Sequence, residues 1–270
     1  MPTTHRTDSV ERLTRLLLIA IAGMLVLLLI LTIVFIATKP SNKPVKDPDK
    51  APTTDVPPPE DDGVTLPLTP DAGIAYQDKI IFVGDSLTAH LINREVLTGG
   101  TDTKQVWRCE NNMMNLNSEI TAVKIIYPGT GEKMTIAEAA GKAQPEIMII
   151  TLGTDWGVSY LSESEFKSCY GDLVKAIQKA SPKTKIILQS IFPVTAGCVN
   201  LDNTKIDNAN RWVKAIAAEN GCRYLDTQSI LKDDKNCLKN SYCNSSDGIH
   251  MGKEAYVAIL EYIRTHALID

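Results

Sequence analysis

A serine, a histidine and an aspartate stand where nucleophilic chemistry could be built. The segment Phe82-Val83-Gly84-Asp85-Ser86-Leu87 closes a short apolar run and passes at once into a helix-compatible stretch. A serine at such a strand-to-helix turn exposes its hydroxyl, and its backbone N–H joins the positive end of a helix dipole. Both features favour a nucleophile and the oxyanion it creates. Asp85 or Ser86 in that place also suits a plain helix cap. Near the other end, Asp247-Gly248-Ile249-His250 precedes the last helical pattern. Of the four histidines, His5 precedes the long apolar run, His90 falls one helical turn after Ser86, and His266 lies in the tail. His250 is the one with a carboxylate at close, fixed spacing and a glycine that lets the loop turn. A serine hydroxyl needs a base to take its proton, and a histidine base needs a carboxylate to orient its far nitrogen. Ser86, His250 and Asp247 supply those types; a helix cap beside a surface histidine is the structural alternative for the last two.

The elements that must position them follow from periodicity. KIIFVG (Lys79–Gly84), EIMIITLG (Glu146–Gly153), KIILQSIF (Lys185–Phe192) and CRYLD (Cys222–Asp226) are short, apolar and rich in β-branched residues, and they read as strands. VWRC and VKIIY are weaker strand segments. Thr135 with Glu138, and Ser162 with Glu165, have capping-box spacing at the start of helices. A further helix contains Ile206 to Asn220, closed by Gly221, and the last runs from Lys253 to about Ala267. Strand–helix alternation predicts a mainly parallel α/β sheet covered on both faces, with functional groups just beyond the carboxyl ends of its strands.

The rest of the chain divides by composition. With 270 residues, 44% hydrophobic, 22% charged and a formal net charge of −4, it is no disordered tail, collagen-like repeat or basic nucleic-acid binder. Residues 1–15 form a short tail, expected on the cytoplasmic side. Leu16 to Ala37 carries no charge over 22 positions, about 33 Å as a helix, so 16–38 is expected to be a single transmembrane anchor. A cleaved signal peptide fits poorly, because Phe35 occupies the −3 position relative to a cut after Ala37. Residues 39–72 hold nine of the fourteen prolines among charged residues and read as an extended linker. Residues 73–270 form the globular domain. Flanking positive charges do not set the orientation, but long domains cross largely regardless of charge. All six cysteines lie downstream, which fits an oxidising compartment, so the domain is expected outside the cell membrane. A disulfide between Cys237 and Cys243 would brace the approach to Asp247.

Gly84-Asp85-Ser86-Leu87 after the first strand, with Asp-x-x-His before the last helix, resembles the SGNH/GDSL hydrolase family across about Ile80 to Leu268. The resemblance implies a three-layer α/β/α sandwich of flavodoxin-like kind. It implies Ser86 as nucleophile, His250 as general base and acid, and Asp247 as orienting partner, with Gly84 and Asp85 in support. It implies no metal and no organic cofactor, and acyl or acetyl esters, often on carbohydrates, as substrates. The family's oxyanion hole uses the serine N–H, a glycine N–H from a second loop, and an asparagine in a Gly-x-Asn motif. Here Gly153-Thr154-Asp155-Trp156 places Asp155 where asparagine is expected. An ionised carboxylate cannot donate and repels an oxyanion, whereas a carboxyl kept protonated by burial restores the donor. The second loop, Cys109–Asn117, has no glycine. An N–H of Asn112 or Met113, or the side chain of Asn111 or Asn112, is the substitute.

Gly129-Thr130-Gly131-Glu132-Lys133-Met134-Thr135 departs from phosphate-loop spacing and reads as a turn leading into a helix. No G-x-S-x-G elbow and no paired zinc spacing occur. Trp107 and Trp156 are either core residues or the walls of a sugar-facing cleft. The expected function is a membrane-anchored extracytoplasmic serine esterase acting on acylated small molecules or on cell-wall and surface glycans. Acyl transfer by the same residues, and a binding domain that has lost its chemistry, are the rivals.

Overall fold

The computed structural model describes residues 62–269, so the expected tail, the anchor at 16–38 and the linker up to residue 61 lie outside the described residues. Among the described residues no helix is long and apolar enough to cross a membrane. The strands are β1 (Ile80–Gly84), β2 (Val106–Trp107), β3 (Lys124–Ile126), β4 (Lys133–Thr135), β5 (Ile147–Thr151), β6 (Lys185–Gln189) and β7 (Arg223–Leu225). The central sheet runs β2-β1-β5-β6-β7, every pair parallel. β1 is followed by β2 on one side, and the chain then crosses to β5 on the other. The order therefore reverses between β1 and β5, which is where doubly wound sheets open a crevice at their carboxyl edge. In-register pairing brings the two strand ends together at Gly84 and Thr151.

The helices are α1 (Gly73–Gln77), α2 (Ser86–Asn93), α3 (Ile136–Ala143), α4 (Gly157–Tyr160), α5 (Glu163–Ala180), α6 (Asn203–Glu219), α7 (Gln228–Leu231) and α8 (Lys253–Thr265). Side chains of β5 alternate between two cores. Met148 and Ile150 join residues of α3, α5 and α6 on one face, while Ile147 and Ile149 join residues of α2 and α8 on the other. That makes three layers, and it explains why all five residues of β5 are buried. Both expected capping boxes form, at Thr135 with Glu138 and at Ser162 with Glu165.

Several expectations need correcting. The VWRC segment contributes only the two-residue edge strand β2. VKIIY leaves the central sheet: β3 pairs antiparallel with β4, because Gly129 and Gly131, at φ of 89° and 75°, fold the chain straight back. The Gly129–Thr135 segment is thus a hairpin turn plus a strand, rather than a turn alone. α6 begins at Asn203, where the Asp202 carboxylate accepts the Thr204 N–H at 2.6 Å. The linker boundary at 72 is too late. Leu66 is buried, its N–H donates to Tyr224 O at 2.8 Å, and the Thr69 N–H donates to Thr265 O at 2.6 Å.

All six cysteines are unpaired thiols. The Cys237–Cys243 bridge is not formed: each thiol donates to a nearby carbonyl, Cys237 to Lys235 O and Cys243 to Ser245 O. Cys109, Cys169 and Cys222 are buried in one core, where desolvation pushes the Cys222 thiol up to about 11. Trp107 is core as well, packed near Tyr127, and lines no cleft.

At the end of β1, a Cβ on Gly84 would collide with the Thr88 hydroxyl and the Thr151 carbonyl oxygen, one of them backbone. Gly84→Ala is therefore expected to lower stability by about 1–3 kcal/mol or more, read as a fall in the thermal unfolding midpoint. An unchanged midpoint would mean that the turn after β1 relaxes freely.

Candidate active site

The turn after β1 is organised by Asp85, which is completely buried. One carboxylate oxygen accepts the Leu87 N–H at 3.2 Å and so caps α2. The other accepts the Thr154 N–H at 3.3 Å and so ties the loop after β5 to the same turn. Ser86, the first residue of α2, is left half-buried with its hydroxyl directed into the crevice. Its Oγ lies 3.1 Å from Nε2 of His250. Across the ring, Nδ1 of His250 lies 2.6 Å from an oxygen of Asp247. A carboxylate only accepts, so the ring proton sits on Nδ1 and Nε2 is free to accept from the Ser86 hydroxyl. Asp247 also takes the N–H groups of Ile249 and His250, at 2.7 and 3.0 Å. Burial opposes its ionisation, yet these bonds and the one from the His250 ring hold the carboxyl well below its ordinary range. Gly248 makes the loop possible. At φ of 75° it packs so closely on Thr195 and Cys198 that a side chain would not fit.

Two further residues serve the same cluster and were missed in the sequence. Arg94 follows α2 and donates to the Met251 carbonyl at 2.8 and 3.1 Å and to the Asn244 side chain at 2.9 Å. That clamps the loop carrying His250 onto the helix carrying Ser86. The His90 ring lies 4.8 Å from the His250 ring, centroid to centroid. Burial first, then the His250 ring and the Arg94 guanidinium, hold His90 below its ordinary range against the pull of Asp247. Ser86, His90 and Arg94 are spaced by four, the helical period that places all three on one face. That spacing was the available signal.

The oxyanion side departs from expectation. Gly153 adopts φ of 127°, and a Cβ there would come within 2.7 Å of Ile191 Cδ1. Asp155 follows two residues later, with its Oδ2 buried and lacking a hydrogen-bond partner. Burial pushes its carboxyl up, against the Ser86 amide and the His250 ring, which favour the charged form. Neither backbone donor expected from the second loop is available as it stands. The Asn112 N–H donates to Cys109 O at 3.1 Å, and the Met113 N–H to the Asn111 side chain at 3.0 Å. Asn112 holds a left-handed φ of 59°, with its side-chain oxygen taken by Arg108. No bond joins Asn111, Asn112 or Met113 to Ser86, Asp155 or His250. Trp156 is 38% exposed and stacks on Tyr160 at 4.3 Å. Among the described residues no group of three or more His, Cys, Asp or Glu side chains is arranged to hold a metal ion.

A doubly wound parallel sheet with its polar cluster at the strand-order reversal places the protein among the three-layer α/β folds. Residues 82–258 match the model of the GDSL-like lipase/acylhydrolase family, and the chain belongs to that family. Its fold is similar to that of a candidate acylhydrolase from Bacteroides fragilis, at 19% identity and a TM-score of 0.50, over 74% of this chain and 88% of that one. Looser matches include a GDSL-like lipase from Bacteroides thetaiotaomicron, at 18% identity and 0.43, over 75% and 90% of the two chains. Another is an acetylxylan esterase from Geobacillus stearothermophilus, at 17% identity and 0.42, over 70% and 94%. No curated protein matched the chain.

The buried carboxyl of Asp85 has a consequence for stability. Desolvation first, and the neighbouring Asp155 second, push it from an ordinary 3.8 up to about 7. The unfolded chain then releases this proton before the folded one does. The contribution to stability is full below about pH 4 and is lost as pH rises through about 7. Asp85→Asn keeps a neutral side chain, so its stability relative to the parent is expected to grow over that window by on the order of a few kcal/mol. Denaturant unfolding at pH 4, 5.5 and 7 measures this, and a difference independent of pH would contradict it.

Proposed function

We propose that the protein is a serine esterase that removes acyl groups, acetyl first among them, from carbohydrate. The observation that carries the proposal is the unbroken hydrogen-bonded chain Ser86–His250–Asp247 at the switch point of the sheet. In this reading the Ser86 oxygen attacks the ester carbonyl while its proton passes to Nε2 of His250, and Asp247 steadies the ring as it becomes positive. Collapse of the tetrahedral adduct breaks the bond to the alcohol, which leaves with the proton from His250. Water then repeats the sequence on the acyl-serine and releases the acid.

Carbohydrate is favoured by what borders the triad. The Trp156–Tyr160 pair offers an exposed aromatic face beside Asp155, suited to the apolar face of a sugar ring. A polar cavity of about 610 Å³ opens next to it, lined by Ser159 of α4, Thr195, Asn200, Lys205 and Asn236 among others. Thr195 in turn bonds Gly248 of the histidine loop at 2.9 Å, so the cavity adjoins the triad without containing it. The anchor at 16–38 and the linker complete the proposal by holding the domain outside the membrane, near envelope glycans. The orientation rests on the apolar run and the length of the domain; the unpaired cysteines add nothing to it.

Asp155 in the asparagine position favours one second reading, a glycan-binding domain that has lost its chemistry. Acetate release by the full-length protein from 4-nitrophenyl acetate and from an O-acetylated glycan separates the two. The esterase reading expects Ser86→Ala and His250→Ala to lower the rate by on the order of 10³-fold or more. It expects Trp156→Ala to raise KM for the glycan and to leave the small ester nearly unaffected. Turnover of both esters that Ser86→Ala does not change would refute it.

A further inference from the structure

We infer that His90 is a positioning residue for the reaction: its aromatic face steadies the His250 ring between Ser86 and Asp247, and its nitrogens take no part. The inference rests on the esterase reading above. It begins with how His250 is held. Two hydrogen bonds grip that ring at its nitrogens, Nε2 with the Ser86 hydroxyl at 3.1 Å and Nδ1 with Asp247 at 2.6 Å. Bonds to two atoms of a ring leave it free to tip about the line that joins them. The His250 side chain is 30% exposed and comes from a loop, so core packing alone does not stop that tipping. The His90 ring does. It lies against His250 with centroids 4.8 Å apart and planes at 34°, the one ring contact that His250 makes among the described residues. That separation lies in the range where aromatic pairs attract.

His90 is itself fixed by its helix. It stands four residues after Ser86, on the same face of α2. Its neighbours Leu87, Thr88, Ala89 and Leu91 are buried, and the Tyr256 hydroxyl donates to the Leu87 carbonyl at 2.9 Å, so α2 is held against rotation. Tyr256 also stands near the His90 ring, at 6.4 Å between centroids. Hydrogen bonding does not explain the residue, because Nδ1 of His90 is buried without a partner. An unpaired buried nitrogen is a cost, which leaves the ring face as what the position uses. The groups around His90 are His250 and Asp247 from the loop before α8, Arg94 at the end of α2, and Tyr256 of α8. Burial, His250 and Arg94 oppose a charge on His90, and Asp247 favours one. In the reaction the Ser86 oxygen bonds to the carbonyl carbon while its proton moves to Nε2, and His250 becomes a cation. An uncharged ring against its face attracts that cation, whereas a second cation would repel it. The proton then leaves with the alcohol, and His90 ends as it began.

Two substitutions separate the face from the nitrogens. His90→Phe keeps the ring and removes both nitrogens, while His90→Gln keeps polar atoms at similar reach and removes the ring. Turnover of 4-nitrophenyl acetate by full-length protein is measured with Ser86→Ala as background. In His90→Phe, kcat is expected to stay within about threefold of the parent; in His90→Gln it is expected to fall on the order of 10- to 100-fold, with KM little changed in either. The downfield N–H proton signal of the His250–Asp247 bond should persist in His90→Phe and broaden or vanish in His90→Gln. In the parent, labelled at histidine, NMR cross-peaks are expected between the ring protons of His90 and His250. Their absence would overturn the inference whether or not the variants fold. So would parent-like kcat in His90→Gln, or a loss in His90→Phe as large as in His90→Gln, and either would leave the esterase standing. Absence of Ser86-dependent turnover in the parent would overturn the esterase reading and this inference with it.

Discussion

One buried carboxylate holds the site in register. Asp85 caps the helix that carries Ser86 and grips the backbone of the loop that carries Asp155, with no water-exposed surface of its own. Neither bond would matter if the strands ended at different heights. Parallel pairing of β1 with β5 puts Gly84 opposite Thr151, and the missing side chain at Gly84 lets the two backbones and Thr88 close up. The turn that carries Ser86 and the loop that carries Asp155 are thereby tied together through Asp85. Its cost is an acid buried beside another acid.

His250 is mounted differently. His250 lies on a loop with no strand of its own, and it is positioned from outside by α2. The face that begins with Ser86 continues through His90, against the His250 ring, and ends at Arg94, which clamps the Met251 carbonyl. Gly248, in a left-handed turn too tight for any side chain, sets the path from Asp247 to His250. A single short helix thus sets Ser86 against His250, and α8 fastens that helix in turn through the Tyr256 hydroxyl. The cavity of about 610 Å³ that Thr195 joins to the loop of Gly248 is lined largely by polar side chains, and Trp156 stacks on Tyr160 at 4.3 Å.

Much of this was written in the chain where local rules are strong. The buried parallel strands announced themselves as β-branched runs at residues 80–84, 147–151 and 185–189, and the two capping boxes placed α3 and α5. That Ser86, Asp247 and His250 would meet was readable because strand-end and loop motifs fix residue types at short spacing. What escaped depends on long-range packing. β3 joined β4 instead of the sheet, since alternation alone does not name a partner strand. Residues 62–72 dock on β7 and α8 although their prolines read as linker. The donors of the Asn112–Met113 loop were spent on local turns, which spacing cannot reveal. Cysteine count suggested disulfides, but Cys109, Cys169 and Cys222 are simply small apolar residues of the core.

The central claim is that Ser86 is a nucleophile activated by His250. Its most direct test is to trap the adduct: full-length protein treated with a serine-directed phosphonate, then digested and examined by mass spectrometry. The account predicts one stoichiometric adduct on the peptide containing Ser86, formed at least about 100-fold more slowly in His250→Ala. An adduct elsewhere, or labelling of Ser86 at the same rate without His250, would contradict it.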